Sequence, residues 1–343
     1  MEITQYSETD CADWESYADS RSSCWHYHKI GWKEVIESAY RHQCRYLIAR
    51  DNGAIAGILP IAVVKSRLFG HSLTSLPFLD YAGLVADTPS ARDALVAHAC
   101  RITDETRAHY LELRQIESVG DQFHTAGHKV TLVLDLPDDP EQLLNSLPPE
   151  RRNRIRKARK SELTVEIHDR SMLPTFYRIW TENMRDLGSP PHSLSFFDAI
   201  LRVFPDSAGV LLVKYRHEYI GAAICLYTKD MLTLPWVSSR RQFFELYPNN
   251  ILYWEAMCFA IRQGCRRFDF GRSSIGSGTH TFKIRWGAKE VPLYWQFYTP
   301  AGQPLPLPAG DNPKYRLALA TWKRLPVTIT RLVGPSIRKY ITA

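Results

Sequence analysis

Two kinds of hydrophobic spacing alternate along this chain, and they do so twice in the same order. Residues 8–19 and 30–42 place Trp14, Tyr17, Trp32, Val35 and Ile36 at helical intervals, which predicts two helices with these side chains inward. CRYLIARDNGAIAGILPIAVV then gives two apolar runs split by Asp51, Asn52 and Gly53. Asn and Gly tolerate the positive φ of a tight turn, so the segment reads as a β-hairpin. SLTSLPFLDYAGLVAD adds a strand and a loop, a helix follows at about 89–106, and HYLELR (109–114) and KVTLVLDL (129–136) read as strands closing the first half.

A second cycle opens after Leu147, Pro148 and Pro149, since Pro is favoured at helix starts. The pattern predicts a helix over 150–161 and a strand LTVEIH over 163–168. Two helices follow at about 171–187 and 193–204, split by Gly188, Ser189, Pro190 and Pro191. GVLLVKYRHEYIGAAICLYT is another hairpin, and MLTLPWVSS another strand. The stretch from Tyr247 to Gly287 predicts a helix from Asn250 to Gln263 and a strand ending in Asp269, Phe270, Gly271 and Arg272. It closes with a Gly/Ser loop and a short helix bearing Phe282, Lys283, Arg285 and Trp286. Polar groups gathered where a strand opens into a loop are a common ligand site in α/β proteins.

The two cycles superimpose. LIARDNGAIAGILPI (47–61) falls on LLVKYRHEYIGAAICL (211–226), which puts Gly57 on Gly221; SLPF (75–78) falls near TLPW (233–236), and LELR (111–114) near FDFGR (268–272). A nearly constant offset across three ordered features indicates a duplicated unit.

Composition narrows the class. With 343 residues, 45% hydrophobic and 12% aromatic, the chain has room for two domains with substantial cores. The acidic start, MEITQYSETDCADWE, has no apolar core of a signal peptide, and no run approaches 18 apolar residues. The seven cysteines are scattered with no CxxC pair, so a reduced, cytoplasmic setting without a metal site is expected. The net charge of +7 is local: residues 151–160 (RRNRIRKARK) carry seven cations and no acid, and residues 312–343 carry seven more without an acid. Because the remainder is net acidic, these stretches point to specific anionic partners.

With helix, hairpin, strand, helix and strand occurring twice, the chain resembles tandem GNAT-type domains, and within them the FemAB family of peptidyl- and aminoacyl-transferases. The likeness is greatest to the FemAB-related, exosortase/PEP-CTERM-associated subgroup that accompanies exopolysaccharide loci and has a BioF2-like acetyltransferase domain. RRNRIRKARKSELTVEIH, GVLLVKYRHEYIGAAICL, YPNNILYWEAM, CRRFDFGRS and GTHTFKIRWGAK carry the resemblance, with SLPFLDYAGL as weaker support in the first half. It implies an α/β (α+β) protein of two GNAT-like lobes, each a mixed, mostly antiparallel sheet flanked by helices. The lobes are expected at 1–146 and 147–311, followed by a basic amphipathic helical tail at 312–343.

The resemblance also implies transfer of an activated acyl or aminoacyl group to an amine of an envelope, peptidoglycan-like or exopolysaccharide precursor. FemAB enzymes draw on aminoacyl-tRNA and ordinary GNAT enzymes on acetyl-CoA. A GNAT domain grips the CoA pyrophosphate with backbone N–H groups of a Q/RxxGxG/A turn at a helix start. Here the corresponding turn is RRQFFELYPNN, without that glycine pair, so the donor stays open between aminoacyl-tRNA and acyl-CoA, neither tightly bound. The family's long coiled-coil arm is absent as well. Two other functions remain: a CoA-dependent N-acetyltransferase for a small amine or amino sugar, and a non-catalytic module binding tRNA or a lipid-linked glycan.

Aminolysis needs a stabilised oxyanion and a proton sink. Lys283 matches the lysine of the family's FKxxFG-like motif and is expected to bind donor phosphate or polarise the acyl carbonyl; the alternative is a solvated lysine beside core Phe282 and Trp286. Asp269 is the candidate for orienting or deprotonating the amine, and Arg272 for holding a phosphate or carboxylate. The alternative is that these two pair and brace the loop. Arg154 and Lys157 are candidates for the carrier (tRNA, nucleotide-sugar or lipid pyrophosphate), the alternative being a solvated helix face. Tyr81, Tyr247, Asn249, Gly276 and Gly278 complete the substrate-binding set, although Asn249 and Asn250 also read as helix caps. His280 and His192 read as structural or solvated, and covalent catalysis by Cys258 or Cys265 is not expected. The tail, from 313 to 343, either packs on the second lobe or lies on an anionic membrane surface.

Overall fold

The computed structural model describes residues 1–66, 70–126, 129–303 and 319–342. Part of the expected tail, including Lys314 and Arg316, lies outside the described residues. The chain forms two compact units: one from the described residues of Met1–Lys129, Pro292–Pro308 and Lys339–Ala343, the other from those of Val130–Val291 and Ala309–Arg338. The expected change of domain after residue 146 thus falls at 129/130 instead.

The first unit contains β1 (Glu2–Gln5), α1 (Cys11–Ser20), α2 (Gly31–Tyr40), β2 (Gln43–Cys44), β3 (Leu47–Asp51), β4 (Ala54–Leu59), β5 (Ala62–Ser66), β6 (Gly70–Thr74), β7 (Val85–Ala86), α3 (Pro89–Glu105), β8 (Tyr110–Gln115) and β9 (His124–Ala126). The second has β10 (Lys129–Asp135), α4 (Pro140–Ser146), α5 (Pro149–Lys160), β11 (Leu163–His168), α6 (Leu173–Leu187), α7 (Leu194–Val203), β12 (Ala208–Tyr215), β13 (Glu218–Tyr227), β14 (Met231–Ser239), α8 (Pro248–Arg262), β15 (Arg267–Ser274), α9 (Gly278–Ile284), β16 (Lys289–Pro292) and α10 (Val327–Arg338). A last strand, β17 (Tyr294–Tyr298), returns to the first unit, where it pairs with both β8 and β9.

The first unit has a four-stranded sheet, β1-β3-β4-β7, and a six-stranded one, β2-β5-β6-β8-β17-β9; the second has one seven-stranded sheet, β11-β12-β13-β14-β15-β10-β16. KVTLVLD was expected to close the first half. It forms β10, between β15 and β16 of the second unit, and β17 fills an interior place, next to the edge strand β9, in the first. Alternating apolar residues state that a segment is a strand, but its partners are non-local.

Duplication is visible residue by residue. In the β3–β4 hairpin Gly57 stands opposite Ala49, and the register shifts after Ala49; in the β12–β13 hairpin Gly221 stands opposite Val213, and the register shifts after Val213. A Cβ at Gly57 would come within 3.0 Å of Leu95 Cδ1, and one at Gly221 within 2.9 Å of Val213 Cγ2, so both bulges require the missing side chain. Each unit has one short parallel junction, Ser72–Thr74 with Tyr110–Glu112 and Met231–Thr233 with Arg267–Asp269. A helix, α3 or α8, crosses over between the paired strands.

In the second unit the strands are apolar on both faces. Leu211 and Val213 of β12 join a core with Ile155 and Ala158 of α5 and Ile251, Met257 and Cys258 of α8. Val210 and Leu212 alternate to the other face, where α6 and α7 pack against the sheet. Phe176, Phe197 and Trp236 interlock there, with ring centroids 4.9 Å and 5.3 Å apart. The first unit's core is built from Leu47, Leu59, Leu73, Leu111 and Leu113 against Leu95 and Ala99 of α3.

Candidate functional site

In the second unit β14 and β15 pair for three residues and then separate, β14 continuing to Ser239 and β15 to Ser274. Asp269 stands at the last paired position, opposite Thr233, with no solvent exposure. Its carboxylate accepts hydrogen bonds from Thr131 Oγ1 of β10 (2.5 Å), Thr233 Oγ1 of β14 (3.4 Å) and the Gly271 N–H (2.8 Å). One side chain thus ties three neighbouring strands where the sheet opens. Beside it, burial and the Asp269 charge push the Tyr253 phenol well above its usual range, which keeps it neutral.

Gly271 takes a φ of 74°, a conformation costly for other residues, and its carbonyl and that of Arg272 face α9. Lys283 on α9 reaches back to them: Nζ donates to Gly271 O at 2.8 Å and Arg272 O at 2.9 Å. Its side chain is buried, so it is neither a solvated lysine nor one standing in an open cleft. α9 starts where Gly276 (φ 79°) turns the chain and the Ser277 hydroxyl accepts from the His280 N–H at 3.2 Å.

A second group forms where α5 meets the start of α8. Arg151 is fully buried; its guanidinium donates to Asn250 Oδ1 at 2.9 Å and lies 5.4 Å from the Phe282 ring centroid. Arg154 and Lys157 both lie against Tyr247, at 5.6 Å and 5.9 Å from its ring centroid. Glu150 makes ion pairs with Arg151 (3.3 Å), Arg154 (2.6 Å) and Arg285 (3.7 Å), and Arg159 pairs with Glu255. The basic run is therefore partly compensated by two acids that flank or face it, which the sequence stretch alone conceals.

The structure brings together Lys283, Asp269 and Arg272 around the end of β15, and Arg154, Lys157 and Tyr247 around the start of α8. Tyr81 belongs to the first unit, where it packs among Trp25 and Tyr27 and lines a cavity of about 390 Å³ together with His28, Gly83, Gln115 and Thr88. Asp269, expected to orient or deprotonate the amine, has zero exposure and three internal donors from β10, β14 and β15. Its counterpart at the first unit's junction, Glu112, is likewise buried and braced, against Arg114 at 3.2 Å.

Asn249 and Asn250 are not caps. α8 begins at Pro248 after Tyr247 in the left-handed region (φ 61°), with no side-chain cap; Asn249 accepts from Ser239 Oγ at 2.7 Å and Asn250 holds Arg151. Gly276 and Gly278 have no atom within 4 Å of where a Cβ would be, so neither is forced by close packing. His192 is fully buried, stacked on Phe196, and burial holds it far below the usual imidazole range; His280 bonds Glu290 at 2.8 Å. Burial pushes Cys258 up to about 12 and Cys265 to about 11, so both are thiols at neutral pH. Sequence reasoning missed Arg151, although a signal exists: with Ile155 and Ala158 it falls at i, i+4, i+7 on the apolar stripe of α5. Thr131 carried no local signal, because its role depends on where β10 pairs.

Two units, each with a bulged hairpin, a three-residue parallel junction and a crossover helix, are tandem GNAT-like domains: mixed, mostly antiparallel sheets flanked by helices. Residues 150–283 match the family described as acetyltransferase (GNAT) domain. Among solved structures, FemX is similar over 86% of this chain and 97% of its own, at 16% identity and a TM-score of 0.69. A tandem GNAT protein from the clavulanic acid biosynthesis pathway matches over 89% and 99% (12% identity, TM-score 0.55), and L-PGS from Bacillus licheniformis over 97% of each chain (11%, 0.55). These identities establish the fold. No curated protein matches the chain in sequence. Among the described residues, no group of three or more His, Cys, Asp or Glu is placed to hold a metal ion, and no helix is long and apolar enough to cross a membrane.

Proposed function

We propose that this protein is an N-acyl- or aminoacyltransferase whose second unit binds an anionic activated carrier and delivers its acyl group to an amine. One observation supports this most: Arg154 and Lys157 converge on Tyr247 at the start of α8, the crossover helix that follows the opening strand β14. Two cations beside an aromatic ring form a place where side chains can hold a phosphate. The likeness to FemX and the GNAT match over 150–283 are consistent with acyl transfer.

The helix start also bears on the donor. Pro248 has no N–H, and the N–H groups of Asn250 and Ile251 are taken by Tyr247 O. A glycine-rich turn that wraps a pyrophosphate in free N–H groups is therefore absent, and recognition falls to side chains. That favours aminoacyl-tRNA, whose phosphates side-chain cations can track, over acyl-CoA. The acceptor in this reading is an amine of an envelope, peptidoglycan-like or exopolysaccharide precursor, met in the cytoplasm or at the inner face of the membrane.

Lys283, Asp269 and Arg272 enter as a positioning group that fixes the open end of β15, while the cavity lined by Tyr81 is a candidate small-ligand site of the first unit. Radiolabel transfer from charged tRNA and from acyl-CoA pools to amine acceptors tests the proposal. Transfer from charged tRNA, reduced at least tenfold in kcat/KM by Arg154→Glu with Lys157→Glu, is expected. Transfer from acyl-CoA alone would overturn the donor assignment, and transfer from neither pool would leave a binding module.

A further inference from the structure

The last described helix is two-faced. On α10, Thr330 and Gly334 are buried, and a Cβ at Gly334 would come within 2.4 Å of Pro191, so this side packs too closely for any other residue. Arg338 Nε donates to His192 Nε2 at 3.1 Å and pins the end of the helix. α10 therefore packs on the second unit by one side, whereas the described residues of Lys339–Ala343 belong to the first unit.

The other side shows Leu332 at 80% exposure, with Ile329 and Val333 at 44% each. Their spacing, i, i+3, i+4, sets all three on one arc without a charge among them. Leu332 is the most exposed large hydrophobic side chain among the described residues. Just before the helix stand Lys323 and Arg324, both exposed and neither in an ion pair among the described residues, and residues 319–342 contain no acid. Leu187, 52% exposed, precedes Gly188, where Leu319 and Lys323 pack.

We propose that this face of α10 docks on an anionic lipid surface, with Leu332, Ile329 and Val333 entering the interface and Lys323 and Arg324, at the N-terminal end of the helix, meeting lipid phosphates. Charge complementarity selects the partner. A second copy of the chain would bring the same cations against themselves, and three side chains supply far less than the ~800 Å² per partner of a stable protein interface. A lipid surface accepts a shallow apolar insertion and supplies the negative charge the rim lacks. The proposal does not depend on the transfer chemistry.

The test is co-sedimentation of the full chain with vesicles of phosphatidylcholine alone and of phosphatidylcholine mixed with phosphatidylglycerol. Binding to the anionic vesicles only, and its loss at high salt, is expected. Each cation near such a surface strengthens binding roughly fivefold. Lys323→Glu with Arg324→Glu should therefore weaken binding at least tenfold, and Leu332→Ser with Ile329→Ser should do the same, both with unchanged melting curves. Absence of binding to anionic vesicles at low salt overturns the proposal, as does native affinity in both double variants. A dimer seen by light scattering and abolished by Leu332→Ser would assign the face to a second copy and overturn it too.

Discussion

Replacing Lys283 by Met separates the two roles this side chain has been given. Methionine keeps the length and apolar stem of lysine but removes the ammonium, so Gly271 O and Arg272 O each lose a charged donor, at 2.8 Å and 2.9 Å. Hydrogen bonds to a charged group contribute about 1.5–3 kcal/mol each, and some of that is returned because a buried ammonium no longer has to be desolvated. The net destabilisation should be about 2–4 kcal/mol. For a unit of 150–250 residues each kcal/mol moves the midpoint by ~2–4 °C, so the melting temperature should fall by roughly 5–15 °C. Differential scanning calorimetry resolves the affected transition, and transfer assays below it report the chemistry. A variant that melts within about 2 °C of the native protein yet loses transfer a hundredfold would refute the bracing argument and return the ammonium to the substrate.

Two further outcomes follow from the first unit. His28 and His26 are fully buried and held down to about 4 and about 3, chiefly by burial. The unfolded chain takes up these protons near pH 6.5 and the folded chain does not, so stability is lost as pH falls from about 6.5. Each should cost about 2 kcal/mol between pH 7.5 and pH 5; a urea midpoint that stayed level over that range would contradict the burial argument. Gly83→Ala would set a Cβ 1.8 Å from Gln115 Oε1 and 2.6 Å from Arg114 O, and since the latter is backbone it cannot swing away. A loss of about 1–3 kcal/mol is expected in thermal unfolding, and an unchanged midpoint would show that the cavity wall yields.

Local pattern reached most of the elements and few of their partners. LTVEIH and MLTLPWVSS have the bounds of β11 and β14, and the alignment of Gly57 with Gly221 located two matching bulges, because each lies within one hairpin of consecutive strands. KVTLVLD was readable as a strand, but its place beside β15 is set by pairing across more than a hundred residues. The same limit hid the character of the site. Asp269 and Lys283 were recognisable as polar groups near a strand end, yet their internal partners are Thr131 and Gly271, the former brought in by the unforeseen pairing of β10. In RRNRIRKARK the charge was plain and the compensation was not, since Glu150 sits just outside the run and Glu255 on another helix.

The placement of β17 has a consequence for synthesis of the chain. β8 and β9 flank β17 in the first unit's sheet, so until Tyr294–Tyr298 leaves the ribosome that sheet has a vacant slot between them. About 170 residues separate β9 from β17, and at ~5–20 residues per second the gap stays open for roughly 8–35 s. During that interval the edge of β8, with Leu111 and Leu113, offers unpaired backbone groups to any passing strand. Completion of the first-made half therefore waits on the last of the described strands.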